Sequence, residues 1–340
     1  MKVFHCDHCD ALVFFENFSC VSCGHALAYF PDQEKVGSLD RAEKKYRPCA
    51  NYEQHDVCNW AVPAEEPNPL CRSCRLTRVI PDLGSAANKA AWFRLEAAKR
   101  RLVYSLLHLG CPLESRADQP QRGLAFEFLA DLPGAPKIAT GHANGVITIN
   151  VAEADDAERE KRRVQLHEPY RTLLGHVRHE VGHYYWDRLV RDTPRLERFR
   201  ELFGDERKDY AQALKEHYKN GPPTDWQERF VSAYAASHPW EDWAETWAHY
   251  LHMTDTLEIA AACGLALRPR HPDEPSLKKI TVPEGEGKEP FDQIAADWHA
   301  LAYVLNNLSR SLGQTDAYPF VLSAPALEKL RFVHRTIAAA

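Results

Sequence analysis

His179-Glu180-Val181-Gly182-His183 sets two imidazoles four residues apart, with a carboxylate beside the first. On a helix, positions four apart share a face, so both rings can reach one zinc ion. Glu180 would then stand next to a zinc-bound water, whose pKa the metal lowers and whose proton the carboxylate can take. The chain holds 17 histidines, so this pattern alone is weak; an ordinary helix with both imidazoles facing solvent is the rival reading. A hydrolytic zinc site also needs a third protein ligand and one open position. The stretch 234–249 offers that ligand. Pro239 suits the first turn of a helix, and Trp243, Ala244, Trp247, Ala248 and Leu251 form a stripe for burial. Glu241 and Glu245 lie four apart on one face. Carboxylates beside aromatic side chains are costly to bury unless paired or bound to metal. Glu241 is therefore the expected third ligand. Glu245 is the expected acceptor of a hydrogen bond from a ligand histidine, which would fix its tautomer. Two acids on a wet helix face is the alternative, and His249 and His252 are weaker candidates.

A different metal chemistry is written at the N-terminus. Eight of the ten cysteines lie between Cys6 and Cys74. Cys6-x2-Cys9 is followed after ten residues by Cys20-x2-Cys23. Each pair makes a tight knuckle that aims two thiolates at one point, and two knuckles complete a tetrahedral zinc site. Cys49, Cys58, Cys71 and Cys74 supply four more thiolates at spacings of eight, twelve and two intervening residues. His55 could replace Cys58, and the two sets could interleave. Such closed sites stabilise structure and do not hydrolyse anything. His5, His8 and His25 read as bystanders. Cys111 and Cys263 read as inert buried thiols.

The elements that position these groups follow from patterning. Residues 1–80 are rich in Cys, Pro and Asn and cannot build much of a core, so they need metal. From residue 81 the texture changes. A helix is expected from Asn88 to about Leu109, ended by Gly110 and Pro112. Residues 124–129 read as a strand, and residues 138–140 and 146–149 as a hairpin about Asn144-Gly145. The strand at 146–149 could be an edge that pairs with an extended substrate, or a core strand. From about Glu168 the chain reads as mainly helical. Tyr170, Leu173, Leu174, Val177, Val181 and Tyr184 predict one buried face on the helix that carries His179 and His183. The prolines of 269–290 mark a loop. The fold class is α+β: zinc ribbons over 1–80, then a mostly helical domain with a small β-sheet over 81–340.

The net charge of −6 argues against a dedicated nucleic-acid binder. The basic triplets 99–101 and 161–163 are expected on solvated helix faces. No apolar run is long enough to span a bilayer, and the N-terminus lacks a signal-peptide core, so a cytoplasmic protein with reduced thiols is expected.

His179 to His183 followed by Glu241-x-Trp243-Ala244-Glu245 resembles the gluzincin metallopeptidases. Their second motif is a ligand glutamate, an aromatic residue, an alanine and an acid on the next turn. In the anthrax lethal factor type, a tyrosine seven residues before the ligand glutamate steadies the oxyanion, and Tyr234 stands at that position. The whole chain resembles a bacterial family of zinc-binding metallopeptidases with an N-terminal zinc ribbon. The matching stretches are 49–51, 58–60, 71–76, 140–143, 168–175 and 179–186, and the likeness runs nearly end to end. It implies a gluzincin-like peptidase domain with one catalytic and two structural zinc ions, acting on a peptide or protein. His183 and Glu241 are 58 positions apart, which leaves room for extra helices around the cleft. Two other functions use the same residues. One is a ribbon module that binds nucleic acid or protein beside an inactive peptidase-like scaffold; the other is a zinc amidohydrolase acting on a non-protein amide.

Overall fold

A computed structural model describes residues 2–42, 44–165, 172–283 and 289–340. The chain divides into two compact units, Met1–Tyr104 with Leu113–Glu160, and Ser105–Pro112 with Lys161–Ala340. The change of texture at residues 80 and 81 falls inside the first.

The first unit begins with three antiparallel two-stranded ribbons. They are β1 (Phe4–His5) with β2 (Leu12–Val13), β3 (Leu27–Phe30) with β4 (Lys35–Ser38), and β5 (Tyr46–Pro48) with β6 (Ala61–Pro63). The four-residue helices α1 (Leu39–Ala42) and α2 (Ala50–Glu53) lie between them in sequence. Strands this short cannot hold themselves. Aromatic rings join the aliphatic side chains of their small core: Phe15 packs edge-on to Tyr29 at 4.9 Å, and Tyr29 lies 4.9 Å from Trp60 and 5.8 Å from Tyr104.

A four-stranded sheet follows, in the order β7 (Thr77–Val79), β8 (Ala125–Leu129), β10 (Val146–Asn150), β9 (Gly141–Ala143). The strand expected at 124–129 is present. In the hairpin, however, the first strand is Gly141–Ala143 and not 138–140, because Asn144 and Gly145 take positive φ (51° and 81°) and turn the chain in two residues. Gly145 is required twice over: a Cβ there would sit 2.8 Å from the Gly123 carbonyl oxygen. The strand β10 has β8 parallel on one side and β9 antiparallel on the other. It is an interior strand, with Ile147 and Ile149 buried, so of the two expectations for this strand the core one holds.

The helix α3 (Ala86–His108) carries the chain into the second unit. Its triplet Lys99-Arg100-Arg101 corrects the expectation of a solvated face. Lys99 is fully buried, bonded to Glu96 at 2.9 Å and to Thr77; Arg100 is buried and donates to the Val57 carbonyl. Only Arg101 reaches solvent, paired with Glu16. Each buried cation has a partner, which is what makes its burial tolerable. The helix α4 (Asp156–Gln165) contains the second triplet, where Lys161 is exposed and Arg163 half-buried.

The second unit is helical: α5 (Leu173–Leu189), α6 (Arg195–Phe203), α7 (Tyr210–Asn220), α8 (Pro239–Ala262), α9 (Phe291–Ser311) and α10 (Ala324–Ala338). Thr172 caps α5, its hydroxyl accepting the Gly175 N–H at 3.0 Å. Tyr170 lies outside the described residues. Every residue from Val177 to Trp186 is buried, so α5 is central and not one-faced as its periodicity predicts. It packs against α8 at Gly182, where a Cβ would lie 3.0 Å from Ala244 Cα. Tyr185 stacks on Trp247 at 4.7 Å, and Trp186, Phe199, Phe203, Trp243 and Phe332 form an aromatic wall. Residues 269–283 hold no helix or strand, in line with their prolines. Cys111 is buried, and burial pushes its thiol up to about 12. Cys263 is exposed at the end of α8, against expectation, because the helix stops there. No helix among the described residues is long and apolar enough to cross a membrane. The architecture is α+β, with ribbon-like cysteine clusters followed by a helical domain.

Candidate metal centres

The eight early thiols gather as Cys6, Cys9, Cys20, Cys23 and as Cys49, Cys58, Cys71, Cys74, without interleaving. Cys6 and Cys23 sulfurs are 3.6 Å apart, Cys9 and Cys20 3.6 Å, Cys58 and Cys71 3.7 Å. A disulfide would bring them to about 2 Å. Four sulfurs around zinc at about 2.3 Å lie about 3.8 Å from one another, so these spacings suit the edges of a tetrahedral site. Backbone N–H groups point at the second set: Cys71 N–H at Cys49 Sγ (3.3 Å), Cys74 N–H at Cys71 Sγ (3.4 Å) and Trp60 N–H at Cys58 Sγ (3.4 Å). Such donors stabilise thiolates. His55 packs edge-on to Trp92, and Cys58 fills the fourth place. His8 and His25 gather with Asp40 beside the first set.

In the second unit, His179 and His183 on α5 meet Glu241 in the first turn of α8, all three buried. The start of α8 is set by Pro239 and by His238, whose Nδ1 accepts the Trp240 N–H at 3.1 Å. His179 Nε2 lies 3.0 Å from Glu241 Oε2, and His183 Nε2 3.5 Å from Glu241 Oε1. Nitrogen and oxygen ligands about 2.0–2.1 Å from a tetrahedral zinc are about 3.3 Å apart, so these three fit that ion. His179 Nδ1 donates to Glu245 Oε1 at 2.7 Å, which turns its Nε2 lone pair toward Glu241. The Ser232 hydroxyl donates to the other Glu245 oxygen at 2.6 Å.

Burial pushes the Glu241 carboxyl up, but the charges and hydrogen bonds of His183 and His179 more than reverse this and hold it well below the usual range. Glu180 faces His176, its Oε1 3.4 Å from His176 Nε2. Burial raises its pKa, and His176 and His179 bring it below the ordinary value. Tyr234 stands in a short 3-10 helix, Tyr234–Ser237, with its ring 5.9 Å from that of His179. Burial and the Glu241 charge push its hydroxyl well above the ordinary phenol value, so it remains a donor. Asp242 points the other way. Its Oδ2 receives Lys329 Nζ from α10 at 2.6 Å, while burial pushes the carboxyl up to about 7.

Four of these groups were missed by sequence reasoning. Tyr210 opens α7 and donates to Glu241 Oε1 at 2.6 Å. Tyr210, Ser232 and Lys329 carry no periodic signal, since their separations from the residues they touch are set by tertiary folding. His176 was readable, standing four residues before Glu180 on the same helix. His249 and His252 lie apart from the ligand group; His249 Nδ1 meets the Tyr318 hydroxyl at 2.6 Å.

The sequence matches two family models. Residues 3–85 match a zinc-ribbon domain, and residues 88–336 match a family described as "Putative zinc-binding metallo-peptidase". Uncharacterized proteins of Mycobacterium tuberculosis and Mycobacterium bovis are 46% identical over 339 residues, covering 99% of this chain and 95% of theirs. No solved structure matches. The cysteine clusters and the ligand group on α5 and α8 thus accompany a match across nearly the whole chain, which belongs to this family of zinc-binding metallopeptidases.

Proposed function

We propose that the protein is a zinc-dependent peptidase, with His179, His183 and Glu241 as ligands of the catalytic ion and the two cysteine sets as structural sites. The observation that carries this reading is the convergence of His179, His183 and Glu241 with Glu245 behind His179. We take 1–80 as the ribbon region and 81–340 as the peptidase domain. A bound zinc supplies Lewis acidity and acidifies a coordinated water. The chain's own groups do the rest. Glu180 takes the proton of the attacking water and returns it to the departing amine, as general base and then general acid. With Oε1 against His176, its other oxygen, Oε2, is the atom assigned to carry the proton. The Tyr234 hydroxyl donates to the oxyanion formed at the peptide carbonyl. Tyr210 and Glu245 hold Glu241 and His179 in place.

The test is Glu180→Gln, assayed on a library of unstructured peptides. Cleavage falls by about 10²–10⁴-fold while zinc content stays that of the wild type; retained cleavage refutes the mechanism. Elemental analysis, after dialysis that removes exchangeable ions, should give three zinc ions per chain, falling to two in His183→Ala. The same groups would serve an amidohydrolase, which the peptide library separates by its lack of turnover. The ribbon exposes the apolar side chains of Leu12, Phe14 and Val21, which favours a protein partner for it over a nucleic acid.

A further inference from the structure

The first ribbon carries a third group of metal-ligand atoms, outside both cysteine sets. His8 sits in the first knuckle, between Cys6 and Cys9. His25 follows the second knuckle, and Asp40 lies in α1. His8 Nε2 is 3.2 Å from Asp40 Oδ2, and His25 Nε2 is 3.7 Å from the same oxygen. These separations bracket the edge of about 3.3 Å expected between nitrogen and oxygen ligands of one tetrahedral ion. The other nitrogen of His25, Nδ1, faces Cys23 Sγ at 3.2 Å. A zinc-bound thiolate accepts hydrogen bonds and cannot donate them. With zinc on the thiolates, Nδ1 would carry the hydrogen and Nε2 would keep its lone pair on the Asp40 side. This is how a metal-ligating histidine is normally oriented, with the thiolate in the role usually taken by a carboxylate.

Asp40 is also held in place. The Asp7 carboxylate accepts the Ser38 N–H at 3.1 Å, and the Asp7 carbonyl accepts from the Arg41 guanidinium. The start of α1 is thereby tied to the first knuckle, and the one cation adjacent to Asp40 in sequence is turned to a carbonyl. The His8 and His25 rings are stacked, 3.5 Å apart at 13°. Parallel rings aim their lone pairs in parallel, so a shared ion requires them to splay. Their side chains are 21% and 38% exposed and that of Asp40 55%, which gives the rings room and leaves the ion open to water.

We infer that His8, His25 and Asp40 form a third, open metal site on the ribbon that takes a late first-row divalent cation. Two imidazoles and one carboxylate suit zinc, cobalt or nickel; calcium and magnesium want oxygen ligands throughout. The cysteine sets are closed by four thiolates each, whereas this site keeps positions for solvent or for a donor from another molecule, and its ion exchanges.

The experiment is a Co²⁺ titration of the full-length protein, with zinc kept on its cysteine sets and on the α5–α8 site and the exchangeable site emptied by dialysis against a weak chelator, followed by visible absorption. One additional equivalent per chain is expected, with weak d–d bands and no sulfur-to-cobalt charge transfer. His8→Ala and Asp40→Asn each abolish that equivalent and leave the zinc held by thiolates unchanged. His183→Ala retains it, which separates this site from the one on α5 and α8. No additional equivalent in the wild type, or its survival in both ribbon variants, overturns the inference. So does its loss in His183→Ala with retention in His8→Ala.

Discussion

Gly182→Ala sets two opposed effects against each other, and the structure gives the sign. In a helix interior alanine is favoured over glycine by about 0.5–1 kcal/mol. Against this, the new Cβ would lie 3.0 Å from Ala244 Cα, 3.2 Å from Trp247 Cβ and 3.3 Å from the Ala244 carbonyl oxygen. Carbon atoms at their optimum are about 3.5–4.0 Å apart. Two of those three neighbours are backbone atoms, which cannot rotate away, so α5 and α8 must part by roughly half an ångström or more. Overpacking of this kind costs about 1–3 kcal/mol. The net result is destabilisation of about 1–2 kcal/mol, measured by urea unfolding of the protein with zinc on its cysteine sets and none between α5 and α8. Parting the helices also moves Glu241, three residues before Ala244, away from His179 and His183. Zinc affinity, read by competition with a chelating dye, should fall about tenfold, as when a ligand's support is disturbed. A variant more stable than wild type, with unchanged zinc affinity, would mean that helix propensity wins and that the close approach does not govern the ligand geometry.

Three further outcomes follow from the same geometry. Glu245→Ala removes the acceptor of His179 Nδ1 and should lower zinc affinity by about 10–100-fold, with Glu245→Gln losing less because its amide oxygen still accepts. Lys329→Met removes the cation from Asp242, whose carboxyl, already raised to about 7, then takes up a proton; the loss of the bond should cost about 1–3 kcal/mol in urea unfolding at pH 7. His249 is buried, and burial lowers its pKa to about 4 against 6.5 unfolded. The unfolded chain thus binds this proton first, so stability is lost as pH falls below about 6.5 and the loss levels off below about 4. Between pH 7 and 5 the wild type should lose about 2 kcal/mol more than His249→Gln; equal losses would show that His249 is not held neutral.

What was legible in the sequence was local. The spacing of His179 and His183, the paired cysteines and the four-residue step from Glu241 to Glu245 are properties of one helix or one knuckle, and periodicity reads these directly. The α+β class and the turn at Asn144-Gly145 were legible for the same reason. The solvated face assigned to Lys99 and Arg100 was not borne out, because their partners, Glu96, Thr77 and the Val57 carbonyl, lie partly in other segments. The single buried face expected for α5 was too narrow, since one helix's pattern does not reveal how many neighbours surround it. Tyr210, Ser232 and Lys329 were invisible because nothing in one sequence marks which distant residue will arrive beside a buried carboxylate.

The bond from Lys329 to Asp242 has a consequence for the order in which the chain is made. Asp242 is the neighbour of Glu241, and Lys329 lies in α10, 87 positions further along the chain. A nascent chain can fold α5 against α8 while α10 is still within the ribosome, but it then has a buried carboxyl with no cation to meet it. The ligand group therefore reaches its final stability only when α10 has left the ribosome.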